Sequence, residues 1–274
     1  MDNEGADPLK QPLVGMRVLV TRPEPQAQVL AQRLEDDGAC VTCFPVIVIE
    51  DVPDPAPALQ VIHQLREFYA AVFVSINAVE RGIAMVRQCG EWPPTVHCGA
   101  VGDATARSLE ALGMHVDIRP KDRFDSEGLL ATSGLSEANV HGQRIAIFRG
   151  QGGRDVLATG LRERGARPEY VEVYRRARPQ SDSYGANVPG VTAQMKAGAL
   201  DAVVVTSVEA LDNLLMMLGP EGQQALCETT LLVSSQRIAD RARDKGIASS
   251  PVIAANATDA ALLERLRSWR SGAA

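Results

Sequence analysis

The chain says nearly the same thing twice. Arg17-Val18-Leu19-Val20-Thr21-Arg22, followed by Arg33-Leu34-Glu35-Asp36-Asp37-Gly38-Ala39, returns as Arg144-Ile145-Ala146-Ile147-Phe148-Arg149, followed by Gly160-Leu161-Arg162-Glu163-Arg164-Gly165-Ala166. One constant spacing carries Arg17 to Arg144, Arg22 to Arg149, Leu34 to Leu161 and Gly38 to Gly165. At a slightly longer spacing, Ala71-Val72-Phe73-Val74-Ser75 answers to Val203-Val204-Val205-Thr206-Ser207. Likewise Val101-Gly102-Asp103-Ala104-Thr105-Ala106 answers to Ser234-Ser235-Gln236-Arg237-Ile238-Ala239, and Ser126-Glu127-Gly128-Leu129-Leu130 to Thr258-Asp259-Ala260-Ala261-Leu262. In this last pair a Ser or Thr followed by an acid and an apolar run reads as a helix start. Copies this long are half-molecules, not solenoid units of roughly 20–50 residues. They imply two like domains with one cleft between them.

Length agrees, because 274 residues exceed what one core comfortably fills and domains centre on about 100–150 residues. With 45% hydrophobic and 23% charged residues the composition is that of a globular protein, and no apolar stretch approaches the roughly 18 residues of a membrane helix. A net charge of −6 argues against nucleic acid, which needs a basic surface, but leaves an anionic small molecule open. Met1 to Pro12 has neither a basic start nor an apolar segment, so it reads as neither secretory signal nor transit peptide; residues 1–14 are expected to be a disordered tail. Five cysteines, an odd number without a secretory signal, argue for reduced thiols in the cytoplasm. Cys40 and Cys43 form a CxxC inside a strand pattern with no second pair, which reads as buried thiols and not as a metal or redox site.

Continuous Val/Ile/Leu runs alternate with helical patterns: VLV at 18, CVTCFPVIVI from 40, AAVFVS at 70, VHCGAV at 96, RIAIF at 144, AVVVTS at 202, TLLVSS at 230 and PVIAA at 251. This is the pattern of parallel strands buried on both faces, so the fold class is α/β, doubly wound. Gly38, Gly113, Gly165 and Gly246 each close a helix where a left-handed residue is wanted. Two stretches break the rhythm and read as crossings, Glu50 to Pro57 and Arg175 to Gly190. They allow either two sequential domains or an exchange in which each domain takes its first βαβ unit from one copy and its remainder from the other. Spacing does not choose between them.

In open parallel sheets, ligands bind beyond the carboxyl ends of the strands, where helix starts present unpaired N–H groups. The residues just after each strand are therefore the candidates: Arg22; Ser75 and Asn77; Gly102 and Thr105; Arg149, Gly150, Gly152, Gly153 and Arg154; Thr206 and Ser207; and Ser235. In Arg149-Gly150-Gln151-Gly152-Gly153-Arg154 three glycines bare their amides beside two guanidinium groups, a good anion site, although the segment is neither a dinucleotide fingerprint nor a P-loop. The plain alternative is a strand-to-helix turn with surface arginines. Basic residues also gather at strand ends generally: Arg22, Arg149, Arg154, Arg175 and Arg176. Ser75, Thr105, Ser207 and Ser235 read equally as helix N-caps, and capping does not exclude ligand contact. The four histidines, His63, His97, His115 and His141, lack metal-ligand spacing, and no GxSxG elbow occurs. Tyr174, in Val173-Tyr174-Arg175-Arg176, lies at the end of a strand pattern; its phenol, with an ordinary pKa near 10, stays protonated at neutral pH and could donate a proton.

The ordered set Thr21-Arg22-Pro23, Phe44-Pro45, Val74 to Val79, Val101 to Ala106, Arg149 to Arg154, Val173 to Arg176, Val204 to Ser207 and Ala257 to Leu262 resembles uroporphyrinogen-III synthase over residues 16–268. Each motif is weak, but order and spacing together are specific. The resemblance implies two flavodoxin-like α/β domains joined by a two-stranded crossing in the exchanged arrangement, one of residues 1–45 plus 175–274 and the other of 46–174. It implies cyclisation of the linear tetrapyrrole hydroxymethylbilane to uroporphyrinogen III, with loss of water and inversion of the last ring through a spiro intermediate. The substrate would be a small molecule handed over by the bilane-forming deaminase. The resemblance further implies no cofactor, no metal and a monomer, with Tyr174 as the proton donor. In the second copy some family members carry a Thr where this chain has Arg237-Ile238, so Ser235 is the hydroxyl left to that loop. The rival readings are a two-lobed binding protein for an anionic metabolite, or a catalytically silent paralogue.

Overall fold

The computed structural model describes residues 11–180, 187–247 and 250–272. Each apolar run but the one from Cys40 becomes a single strand and each glycine-closed run a helix, with Gly38, Gly113, Gly165 and Gly246 all at positive φ. In the first copy the elements are β1 (Arg17–Val20), α1 (Glu24–Asp36), β2 (Cys40–Cys43), β3 (Val48–Glu50), α2 (Ala56–His63), β4 (Ala70–Phe73), α3 (Ile76–Cys89), β5 (His97–Ala100), α4 (Asp103–Ala111), α5 (Ser126–Leu130) and α6 (Glu137–Val140). The second copy runs β6 (Arg144–Gly150), α7 (Val156–Glu163), β7 (Arg167–Ala177), α8 (Val188–Lys196), β8 (Ala202–Val205), α9 (Val208–Leu226), β9 (Thr230–Val233), α10 (Gln236–Asp244), β10 (Val252–Ile253) and α11 (Asp259–Arg270).

Hydrogen bonding answers the question that spacing left open. Val18, Leu19 and Val20 of β1 lie opposite Ala202, Val203 and Val204 of β8, and Ala70–Phe73 of β4 opposite Ile145–Phe148 of β6, all in parallel. The sheets have the orders β10-β9-β8-β1-β2 and β3-β7-β6-β4-β5, so each joins strands from both copies. Counted along the chain, the first sheet is ordered 2-1-3-4-5, the flavodoxin-like arrangement. The chain divides into two compact units, one of residues up to Val48 together with those from Ala177 onward, the other of Ile49–Arg176. Both passages between them fall on neighbouring strands of the second sheet, β3 and β7.

Alternate residues of each strand face opposite ways, and both faces are covered. In the first unit Leu19, Val203, Val205, Leu231 and Val233 pack under α8, α9 and α10, whereas Val18, Val20, Val204 and Leu232 pack under α1 and α11. In the second, Ala71, Phe73, Ala146, Phe148, Val171 and Val173 meet α2, α3 and α4, while Val72, Ile145 and Ile147 meet α5 and α7.

Several sequence expectations change. The run from Cys40 is two strands in two sheets, broken at Phe44 to Ile47. Of the expected tail, residues 1–10 lie outside the described residues, but residues 11–14 form turns in which Leu13 is fully buried and its N–H bonds to Asp37 C=O at 2.9 Å. A few apolar residues, Leu13 and Val14 between Pro12 and Gly15, are too short a run to give a period to read, so the sequence hid it. The crossing expected to reach Gly190 ends sooner, because Asn187 caps α8 by accepting from Gly190 N–H at 2.9 Å. The CxxC thiols are not buried: Cys40 is exposed and Cys43 half-buried, since β2 is the edge of its sheet.

Candidate functional site

In the second unit β4 and β6 are neighbours, yet the helices that follow them leave to opposite faces. Ala78, Val79 and Ile83 of α3 join the core on one face, and Leu157, Ala158 and Leu161 of α7 the core on the other. Chains that diverge this way leave a crevice at the carboxyl ends of the two strands. Here it is a hollow of about 390 Å³, lined by Val74 and Ser75 after β4, Arg149 to Arg154 at the end of β6, and Ser126, Tyr170, Tyr174 and Arg176.

Tyr174 reaches this hollow because of a β-bulge. Arg149 of β6 lies opposite Glu172, but Gly150 lies opposite Tyr174, so Val173 is passed over. Regular alternation would put Tyr174 on the face of Tyr170; instead it is buried, 3% exposed, on the face of Val171 and Val173. Re-aiming a side chain is a common use of bulges beside functional sites. The strand also continues to Ala177, so Tyr174 is inside β7 and not at its end. Its hydroxyl is hydrogen-bonded to Ser75 Oγ at 3.1 Å, while Ser75 Oγ accepts the Ala78 N–H at 3.2 Å and caps α3. Only glycine permits the approach: a Cβ on Gly150 would stand 2.5 Å from Tyr174 Cε2.

Arg149 does not reach out as a free cation. Its side chain is 5% exposed and lies over the Tyr170 ring at 4.4 Å. Nε donates to Gly150 C=O at 3.2 Å and Nη1 to Asp155 at 3.3 Å. The Tyr170 hydroxyl donates to the same carboxylate at 2.8 Å. That hydrogen bond first, and Arg149 second, hold the Asp155 carboxyl below the usual carboxylate range; burial first, then Asp155, pushes the Tyr170 phenol up. Tyr170 and Asp155 thus frame the glycine loop, and neither stood out in the sequence. A two-residue step back from Glu172, itself two back from Tyr174, would have led to Tyr170.

Of the candidates, the hollow gathers Ser75, Arg149, Gly150, Gly152, Gly153, Arg154 and Tyr174. Arg154 is exposed and has no side-chain partner among the described residues, unlike Arg175, which pairs with Glu50 at 2.8 Å. The expected pool of open cations is therefore smaller than the sequence suggested. Asn77 lies in the first turn of α3, half-buried. Thr105 is not a cap: Gly102 holds that position for α4, and Thr105 is inside the helix and buried. For α5 the cap is Asp125, one residue before Ser126. A wider hollow of about 620 Å³, lined by Asp117, Arg119, Lys121, Asp122, Arg123 and Thr132 among others, gathers none of the candidates; convergent polar groups, more than volume, mark a site.

In the first unit Ser207 caps α9, accepting the Ala210 N–H at 3.0 Å, and the Thr206 C=O accepts the Ser234 hydroxyl at 3.1 Å. Ser235 stands at the N-cap of α10 without a cap hydrogen bond. Arg22 is paired with Asp259 at the start of α11, and its Nε is buried without a partner. Among the described residues no group of three or more His, Cys, Asp or Glu is placed to hold a metal ion, and no helix is long and apolar enough to cross a membrane.

A family model described as uroporphyrinogen-III synthase HemD matches residues 28–264. The uroporphyrinogen-III synthase of Salmonella typhimurium is 33% identical over 261 residues, covering 92% of this chain and 100% of the relative. That of Escherichia coli is 33% identical over 258 residues, with the same coverage. Among solved structures, a mutant uroporphyrinogen III synthase from Thermus thermophilus aligns with a TM-score of 0.56 at 19% identity, over 94% of this chain and 98% of that one. Uroporphyrinogen-III synthetase from Helicobacter pylori aligns with a TM-score of 0.55 at 14% identity, over 93% and 99%. At these identities the structures speak to the fold.

Proposed function

The chain belongs to the uroporphyrinogen-III synthase family, and from that premise we propose that it closes hydroxymethylbilane to uroporphyrinogen III, losing water and inverting the last pyrrole ring, in porphyrin biosynthesis. The observation that carries the assignment of roles is the Tyr174 hydroxyl, held 3.1 Å from Ser75 Oγ on the wall of a hollow whose other wall is the glycine loop. Tyr174 gives its proton to the departing hydroxyl, which leaves as water. Ser75, bonded to Tyr174, supplies a path for that proton to be replaced. When the new ring carbon regains aromaticity it releases one proton, which restores the phenol, so the cycle closes with water as the sole by-product.

The substrate is a flexible polycarboxylate. The N–H groups of Gly152 to Arg154, the Arg154 guanidinium and the starts of α3 and α4 at Ser75, Asn77, Gly102 and Thr105 are assigned its carboxylates in the second unit, whereas the Gln151 N–H is bonded to the Tyr174 C=O at 2.9 Å. Thr206, Ser207 and Ser235 take the corresponding part in the first, where Arg22, held by Asp259, shapes the strand end as Arg149 does. Arg149 shapes the loop from beneath. Once the hydroxyl has gone, what remains is to hold the chain so that the substituted carbon of the last ring attacks before the unrearranged ring shuts, and positioning of that kind is worth several kcal/mol of barrier.

A coupled assay with the bilane-forming deaminase tests the reading, since bilane closing unaided gives the type I isomer; type I product alone would sink it. Tyr174→Phe should slow type III formation by roughly 10²–10⁴-fold, the usual worth of a positioned acid. An unchanged rate would move the role to bound water.

A further inference from the structure

The described residues include six large apolar side chains that stand open to solvent: Val14, Val29, Ile76, Phe124, Val156 and Met216. Scattered singly, such residues need no explanation. Three of them, however, stand within two residues in the chain of groups that line the hollow of the second unit. Ile76 follows the lining residue Ser75, Val156 lies between the loop and the lining residue Leu157, and Phe124 is two residues from the lining residue Ser126. Phe124 is 56% exposed, and its Cβ lies 3.7 Å from where a Cβ on Gly102 would be, which places it over the start of α4.

The internal duplication supplies a control within the same chain. By the repeat spacing the counterpart of Phe124 is Asn256, whose side chain caps the turn before α11 by accepting from Thr258. The counterpart of Ile76 is Val208, packed against its core. Val29, the counterpart of Val156, is exposed too, but on the middle of α1. Val14 precedes β1, and Met216 carries the Arg178 guanidinium against its sulfur at 3.0 Å. Among the described residues, open apolar groups at strand carboxyl ends are thus a property of the second unit, where an aromatic stands at the place a capping polar residue holds in the first.

We propose that Phe124 and Ile76 form an apolar lip that takes a pyrrole ring face of the bilane, so that the hollow reads both chemistries of its ligand: carboxylates on the loop amides, flat rings on the lip. The inference rests on the assigned function and deepens it. Aromatic contact beyond simple burial is worth about 0.5–1.5 kcal/mol, which converts to roughly two- to tenfold in affinity.

Anaerobic calorimetry with uroporphyrinogen III, run beside the coupled assay, tests it. Phe124→Ala should weaken binding roughly two- to tenfold and raise KM alike, with Phe124→Tyr near wild type, Phe124→Leu between, and Ile76→Ser weakening binding less. Because both side chains are open, the thermal midpoint should not move. The Phe124→Ala to wild-type ratio should also hold from low to high salt, since salt screens exposed charges and not apolar contact. An unchanged Kd in Phe124→Ala, or a ratio that collapses with salt, overturns the lip. Wild type that binds uroporphyrinogen III but yields only type I product refutes the assigned activity while the lip stands; wild type that does not bind refutes both.

Discussion

The two units build the same strand end in two ways. In the first, Thr21, Arg22 and Pro23 lead at once into α1 at Glu24; in the second, the chain runs from Gln151 to Asp155 before α7 begins at Val156. On the repeat spacing both helices stop at the same place, since Asp36 answers to Glu163 and each is the last residue of its helix. Only the start differs: what is helix from Glu24 to Gln28 is open loop from Gln151 to Asp155. The cause is local. Prolines at the head of α1 pre-set its φ angles, whereas the second copy puts Gly152 and Gly153 opposite Pro25 and Gln26, and Gly152 takes φ +71°, which a right-handed helix cannot hold. The strand-end arginines are not the difference, because Arg22 and Arg149 are both turned in against an aspartate. A hollow was made by leaving one turn of a helix unwound, and the amides freed from that turn are what an anion can use.

If that is the distinction, corresponding substitutions should behave unequally. Gly150 and Pro23 share a place in the repeat. Gly150→Ala drives a methyl into the Tyr174 ring, so type III formation should fall by about tenfold or more, as misplacement of a catalytic group does. Overpacking should also cost about 1–3 kcal/mol in urea denaturation. Pro23→Ala removes one pre-set φ and should cost less than about 1 kcal/mol, with turnover near wild type. Equal losses at the two positions would end the comparison. Gly152→Ala comes next: a side chain forced into the left-handed region costs about 1–2 kcal/mol, measured as a lower urea midpoint, and turnover should fall with it because the loop amides move.

The sequence carried the parts of this picture that depend on neighbours in the chain. Strand runs, helix-ending glycines and the duplication itself are periodic signals, and they lead to parallel sheets and to the loop at Arg149. It could not carry pairings between distant segments. Whether β1 lies beside β4 or β8 depends on hydrogen bonds between residues far apart in sequence, and both options satisfy the same apolar pattern. The bulge at Val173 is invisible for the same reason, so Tyr174 reads as a strand-end residue when it is turned into the core face within the strand. Thr105 reads as a cap because Ser and Thr mark helix starts, but they do so only on average, and the bare Gly102 fills that position. The charge of Arg149 points outward on paper; the stacking by Tyr170 and the acceptor on Asp155 that turn it inward come from other elements.

The smallest effect probes the device that holds the unwound turn open. Asp155 has no acidic counterpart, since the residue at its place in the first copy is Gln28, and Tyr170 is answered by Cys43. The Asp155 carboxyl is held below its usual range by the Tyr170 hydroxyl before Arg149. A group whose folded pKa is depressed lends stability above its unfolded pKa, near about 4 for Asp, and that contribution is lost as pH falls through the lower folded value. Tyr170→Phe should therefore show its full deficit in urea midpoint at neutral pH, and the gap to wild type should narrow as pH drops below about 4. Because the carboxylate is exposed (69%), the deficit is small and best read as a difference between two titrations. A gap that stays flat from neutral to acid pH would mean that Arg149 alone frames the loop, and that the tyrosine contributes through its ring beneath the guanidinium and not through its hydroxyl.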